Sequence, residues 1–280
     1  MSFTTSDGLR LDWQEEGSGP AVLCLPGLTR NGSDFDELAA ALAGRVRLIR
    51  LTLRGRGRSD RDPDWQNYNL MIEARDVVEF LDFLGLPQVT IVGTSRGGLI
   101  AMVLAATVKG RLAGVLLNDV GPVLEAEGLG NIMGYLGTAP TVKTYPEAAF
   151  ALEERMGARF PWLSPGKWLS LAERWFDQGP DGLVLNYDPK IRDALAAGFP
   201  APDAPAPDLW PLFDALAGLP VAVVRGANSD LLSPATVAEM ARRHPGLIEA
   251  EVPDRGHVPF LDEPQALAAF DALMAEVGKG

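Results

Sequence analysis

The pentapeptide Gly93-Thr94-Ser95-Arg96-Gly97 joins a β-branched apolar run, TIV, to a second apolar run, GLIAMVLAAT. This is a G-x-S-x-G pattern lying between a predicted strand and a predicted helix. Its spacing has a steric cause. A tight strand-to-helix turn forces strained angles on the serine and brings the two elements together, so the positions two before and two after it must lack large side chains. Ser95 is lifted clear of the sheet edge at a helix N-terminus, where free N–H groups and the dipole favour a developing anion. A serine hydroxyl is a poor nucleophile without a base. The chain has two histidines. His244, in MARRHPG, ends a helical pattern, where a cation suits the C-terminus. His257, in VPDRGHVPF, follows a strand on a loop, the kind of segment from which active-site groups project. An acid must orient that imidazole. Asp230, in GANSDLLSP, follows a β-rich run and gives the chain order serine, acid, histidine; Asp119, in LLNDVGP, also lies just past such a run.

The elements that must hold these groups can be read from the pattern. After a hairpin-like opening come short β-rich runs at 21–25, 46–53, 89–93 and 112–119, separated by helical patterns such as SDFDELAAALAG, with Ser33 as N-cap, and MIEARDVVEFLDFLG. This cadence predicts an α/β fold with a mostly parallel, doubly wound sheet covered on both faces. GGLIAMVLAAT is apolar all round and reads as a central buried helix. From 121 to 211 the cadence breaks into short helical pieces carrying Trp162, Trp168, Trp175 and Trp210, and ends in the proline-rich connector FPAPDAPAPDLWP. It then resumes. The expected organisation is a core of residues 1–120 and 212–280, interrupted by a helical cap insertion at 121–211.

Composition bounds the partners. Of 280 residues, 47% are hydrophobic and 22% charged, and the net charge is −12. That balance disfavours nucleic acid or an anionic membrane. The cluster Arg54, Arg56, Arg58 is interrupted by glycines and followed by Asp60, so it reads as a structured turn with solvated charges. One cysteine, Cys24, rules out an internal disulfide and reads as core. No signal-like N-terminus or spanning run is evident, and a soluble, cytoplasmic setting is expected.

With these residues in hand, the chain resembles the cap-bearing, esterase- and lactonase-like serine branch of the α/β-hydrolase superfamily. The resemblance rests on GTSRGG, on LPGL at 25–28, on LRGRGRSD at 53–60, on GANSDLLSP and on DRGHVPFLDEP. Pro26 and Thr52 depart from the usual His and Asp, which implies altered loop support. The resemblance implies a Ser95, Asp230, His257 triad, since GANSDLLSP matches the family's acid-bearing loop over several residues and Asp119 matches at one. It implies an oxyanion hole made by the backbone N–H groups of Leu28 and Arg96. A serine at the elbow, where related dehalogenases and epoxide hydrolases carry aspartate, implies acyl transfer: hydrolysis of a small, largely apolar carboxylic ester or lactone, with no metal or organic cofactor. Carbon–carbon bond hydrolysis of a keto acid, haloperoxidase-like perhydrolysis, and ligand binding on a hydrolase scaffold are the competing readings. The cap tryptophans Trp162, Trp168 and Trp175 are candidates to roof the cleft, although they read first as the insertion's own core. Arg96 reads first as paired with a carboxylate in the core wall; alternatively Arg96 or Arg30 binds a substrate carboxylate.

Overall fold

The computed structural model describes residues 1–198 and 207–279. The β-branched and leucine-rich runs pair into one eight-stranded sheet. Its strands are β1 (Ser2–Thr4), β2 (Arg10–Glu16), β3 (Ala21–Leu25), β4 (Arg47–Leu51), β5 (Val89–Thr94), β6 (Leu112–Asn118), β9 (Val221–Gly226) and β10 (Ile248–Val252). A separate hairpin is formed by β7 (Phe176–Gln178) and β8 (Leu183–Leu185). The spatial order is β1-β2-β4-β3-β5-β6-β9-β10. From β4 onward the pairings are parallel, and β1 and β2 are added antiparallel at one edge.

Period-two alternation explains how one sheet serves two cores. Leu23, Leu25, Ile91, Val221 and Val223 face one side, packed with residues of α2 (Leu70–Phe83), α3 (Arg96–Val108), α8 (Trp210–Asp214) and α9 (Pro234–Arg243). Val22, Cys24, Val92, Ala222 and Val224 face the other, against α1 (Asp36–Leu42) and α10 (Pro264–Val277). Beyond Arg96, the largely apolar α3 is buried along most of its length, as its composition requires.

Between β6 and β9 lie α4 (Ala126–Tyr135), α5 (Tyr145–Met156), α6 (Pro165–Trp175), the β7–β8 hairpin, α7 (Ile191–Ala197) and α8. Helices α5 and α6 carry a third apolar cluster of their own, around Leu152, Phe160, Trp168, Leu171 and Trp175. The proline-rich connector expected at 199–211 falls largely on 199–206, outside the described residues. Among the described residues, no helix is long and apolar enough to cross a membrane.

Two local expectations are corrected. Ser33 lies inside a 3-10 turn over Gly32–Phe35 that leads into α1, and the cap of that turn is Asn31, whose side chain accepts from the Ser33 N–H at 2.9 Å; α1 itself has no side-chain cap. The arginines read as solvated are mostly not so. Arg54 and Arg56 have no exposed side-chain surface, and only Arg58 lies in solvent. Arg54 is neutralised by Asp76 and Asp62, each at 2.6 Å, and by Asp7 at 2.9 Å. Asp62 lies just past LRGRGRSD, but the other partners, Asp7, Asp76 and Glu73, come from the first loop and from α2, so the local sequence does not announce the burial.

Candidate functional site

Strand order reverses between β3 and β5, since β4 lies beyond β3 on one side and β6 beyond β5 on the other. In open α/β sheets the crevice at the carboxyl ends of such a pair is where ligands bind. The chain leaves β3 there through Pro26-Gly27-Leu28 and leaves β5 there through Ser95.

The turn at Ser95 has the geometry that its glycines demand. Ser95 sits at φ +50°, a left-handed conformation costly for a residue with a Cβ. A Cβ on Gly93 would stand 2.6 Å from the Gly97 backbone, and one on Gly97 would stand 2.0 Å from the Leu25 carbonyl oxygen. Neither contact is possible, so strand and helix approach this closely only because both positions are glycine.

His257 reaches Ser95 from the loop after β10. Its Nε2 lies 2.9 Å from Ser95 Oγ and its Nδ1 lies 2.7 Å from Asp119 Oδ2. With Nδ1–H donated to the carboxylate, Nε2 is left to accept from the serine hydroxyl. Asp119 is fully buried, at φ +54°, on the turn after β6. Its Oδ1 also accepts from the Gly226 N–H at 2.8 Å and its Oδ2 from the Ser229 hydroxyl at 2.7 Å.

The acid expected at Asp230 is therefore corrected. The Asp230 carboxylate forms an ion pair with Arg159 and accepts from Asn131 Nδ2 at 2.7 Å, turned toward the segment between β6 and β9. The loop that carries it supports Asp119 through its neighbour Ser229 and through Gly226. Asn118, which sequence reading passed over, donates to Thr94 Oγ1 at 3.1 Å and to the Pro259 carbonyl at 3.0 Å, tying the histidine loop to the strand ends.

The positions expected to supply backbone donors face the same cleft. Leu28 lines the cavity holding Ser95 and His257, and an added Cβ on Gly27 would lie 3.8 Å from Ser95 Cβ. Arg96 opens α3, so its N–H has no intrahelical acceptor. Neither N–H finds a backbone acceptor among the described residues. Beneath them runs a buried ionic chain. Arg56 donates to the Leu28 carbonyl at 2.8 Å and to Glu73 at 2.6 Å, while Arg96 donates to the other Glu73 oxygen at 2.5 Å and to the Tyr68 carbonyl at 2.9 Å. Burial alone would raise the Glu73 pKa; Arg96 and Arg56 outweigh it and hold the carboxyl below its ordinary range. The Arg96 side chain is thus committed to the core wall and does not reach the cleft. Thr52, at the second departure from the family pattern, accepts from the Gly32 N–H at 3.1 Å and supports that loop.

The cleft has two chambers. The inner one, of about 70 Å³, holds Ser95 and His257 and is walled largely by apolar side chains such as Met156, Phe160, Trp168 and Phe260. The outer one, of about 520 Å³, is bounded by Tyr135, Arg155 and Tyr187. Thr29, Arg30, Tyr135 and Trp175 line both. Of the three candidate tryptophans, Trp168 and Trp175 face the inner chamber. Trp162 lines neither and is 90% exposed, which corrects its expected place in the roof.

This geometry has wide company. A family model described as "Alpha/beta hydrolase family" matches residues 22–270. A 3-hydroxybutyrate-oligomer hydrolase of Cupriavidus necator is 38% identical over 269 residues, covering 92% of this chain and 89% of that protein. A 2-(acetamidomethylene)succinate hydrolase of Mesorhizobium japonicum is 26% identical over 249 residues, covering 89% of this chain and 85% of that one. The crystal structure of an alpha/beta hydrolase from Novosphingobium aromaticivorans superimposes with a TM-score of 0.90 at 43% identity, covering 99% of this chain and 97% of the other. In sequence and in fold, over nearly its whole length, the chain belongs to the alpha/beta hydrolase family.

Proposed function

We propose that the protein is a serine hydrolase that cleaves the carboxylic ester bond of a short hydroxy acid through an acyl-enzyme intermediate. The observation that carries this reading is the hydrogen-bonded series Ser95 Oγ, His257, Asp119, with links of 2.9 and 2.7 Å, opening into a small and largely apolar chamber. His257 Nε2 takes the serine proton as Oγ attacks the ester carbonyl. Asp119 holds the Nδ1–H tautomer and stabilises the imidazolium. The negative oxygen is received by the N–H groups of Leu28 and Arg96, each donor worth about 3 kcal/mol in the transition state. His257 returns the proton to the departing alcohol. Water then repeats the sequence on the acyl-enzyme, releasing the acid and regenerating the Ser95 hydroxyl. The elements between β6 and β9 act as the cap over this reaction.

The substrate class is supported by two features. The inner chamber, at about 70 Å³, is small, which suits a short acyl group. The Cupriavidus relative bears the name of an enzyme acting on 3-hydroxybutyrate oligomers, whose units are joined by esters of this size. The test is a turnover screen of 3-hydroxybutyrate dimer, p-nitrophenyl esters of rising acyl length, lactones and a ring-cleavage keto acid, together with fluorophosphonate labelling. Short esters and the dimer should turn over, with the label on Ser95. Turnover of the keto acid alone, or an unlabelled Ser95, would overturn the reading.

A further inference from the structure

Two arginines line the outer chamber, one without a carboxylate partner among the described residues and one with only a loose pairing to Asp34. Arg155, on α5, forms no ion pair with a carboxylate among the described residues, in a chain where most arginines do. Its guanidinium lies 4.8 Å from the Tyr135 ring centroid at the edge of the chamber. Arg30 lies on the wall between the chambers with its guanidinium stacked 3.3 Å above the Trp175 ring. Its side chain is only 19% exposed, yet it makes no hydrogen bond among the described residues; the nearest carboxylate, Asp34, is 3.8 Å from Nε. None of the Arg30 nitrogens is both buried and unpartnered, so its unused donors stay open to water or to a ligand. Arg155 itself is exposed at the mouth of the chamber, within the field of Arg30 and Arg159.

We infer that Arg155 and Arg30 form a carboxylate-binding site in the outer chamber, which selects esters whose alcohol portion ends in a free carboxylate. The inference rests on the ester-hydrolase reading and deepens it. The scissile carbonyl lies at Ser95 with the acyl group in the inner chamber. The alcohol portion passes the Arg30–Trp175 wall, and its carboxylate meets the guanidinium donors, which suit a planar anion. Indole stacking holds Arg30 in one orientation, so little rotamer freedom is lost on binding.

The experiment compares linear 3-hydroxybutyrate dimer as the free acid with its methyl ester, which differs only in the terminal charge. The wild-type protein should prefer the acid in kcat/KM by on the order of 10- to 100-fold, the range of charge-assisted hydrogen bonds, and added salt should shrink that preference. Arg155→Gln and Arg30→Gln should each lower kcat/KM for the acid about tenfold, chiefly through KM, and lower it less for the methyl ester, so that the acid-to-ester ratio falls. Equal wild-type turnover of both forms would overturn the carboxylate site while leaving the ester hydrolase standing. The same holds for a variant that loses both forms equally. If neither form turns over and Ser95 resists the fluorophosphonate, the ester reading itself falls. The wild-type ratio needs no variant to fold.

Discussion

The floor and the roof of the site are built by different physics. The floor is the carboxyl end of the sheet, where backbone approaches backbone within limits only glycine allows, and where charges are held in networks: Glu73 between Arg56 and Arg96, Arg54 among Asp7, Asp62 and Asp76. The roof, on α5 and α6, is held by an apolar cluster and leaves Arg155 without a carboxylate partner among the described residues. A floor of mutually dependent contacts fixes reacting atoms to within fractions of an ångström and tolerates little change. A roof of separable side chains tolerates more, so differences in substrate choice belong there.

The largest effect should come from the floor. Asp119→Asn should lower kcat on a good ester by on the order of 10³- to 10⁴-fold, because the amide favours the wrong imidazole tautomer. Asp230→Asn should cost about fivefold or less, since it changes only a pairing with Arg159 and Asn131. The measurement is kcat for both variants, with folding checked by circular dichroism. The reverse pattern would return the acid to the loop after β9.

Why the sequence misdirected that assignment is instructive. GANSDLLSP does belong to the site, but through Gly226 and Ser229, which bind the carboxylate of another strand. A motif records chain neighbours. Which carboxylate meets the imidazole depends on sheet order: β6 lies directly beside β5, so the residue after β6 emerges next to Ser95, one strand spacing away. The serine turn and the histidine loop were legible because their requirements are local, glycine spacing in one case and a loop histidine after a strand in the other. The buried arginines were not, because Asp7, Asp76 and Glu73 join them only on folding. Nor could periodicity tell Trp162 from Trp168, since both stand in short pieces where burial is decided by packing between α5 and α6.

Glu73 tests the floor's ionic chain. Glu73→Gln leaves two buried arginines with one charge fewer, a loss of about 3–5 kcal/mol when one partner of a buried pair is removed. In a domain of this size that lowers Tm by about 10 °C, and kcat should fall as well, because Arg56 steadies the Leu28 carbonyl. The pH dependence has a definite sign. The folded-state pKa of Glu73 is depressed, so its contribution is complete above the unfolded value of about 4.3 and is lost as pH falls toward the lower, folded value. The stability difference between wild type and Glu73→Gln should therefore be full near pH 7 and shrink below about pH 4. A difference constant from pH 7 to pH 3 would mean that Glu73 acts through packing and not through charge.

The roof should respond more selectively, and its two tryptophans separate packing from exposure. Trp168 is buried in the α5–α6 cluster, edge-on to Phe160 at 6.4 Å, and also walls the inner chamber. Trp168→Ala should destabilise by about 3–5 kcal/mol through the cavity it leaves. By widening the chamber it should also move the preferred p-nitrophenyl ester toward longer acyl chains. An unchanged acyl-length profile in a folded variant would remove Trp168 from the substrate wall.

The smallest effect is expected at Trp162, and it is the sharpest check on where the roof ends. This residue has the same indole and comes from the same stretch of chain as Trp168, yet it is 90% exposed, on a turn between α5 and α6, and faces neither chamber. Its left-handed φ of +66° means that alanine inherits the strain without relieving it. Removing an indole that already lies in water forfeits almost no burial, so Trp162→Ala should change stability by less than about 0.5 kcal/mol. It should also leave kcat/KM and the acyl-length profile within about twofold. Thermal unfolding and the same ester series used for Trp168→Ala are the measurements. A large rise in KM confined to long or bulky esters would mean that Trp162 folds down over bound substrate, and that the roof extends beyond the walls of the two chambers.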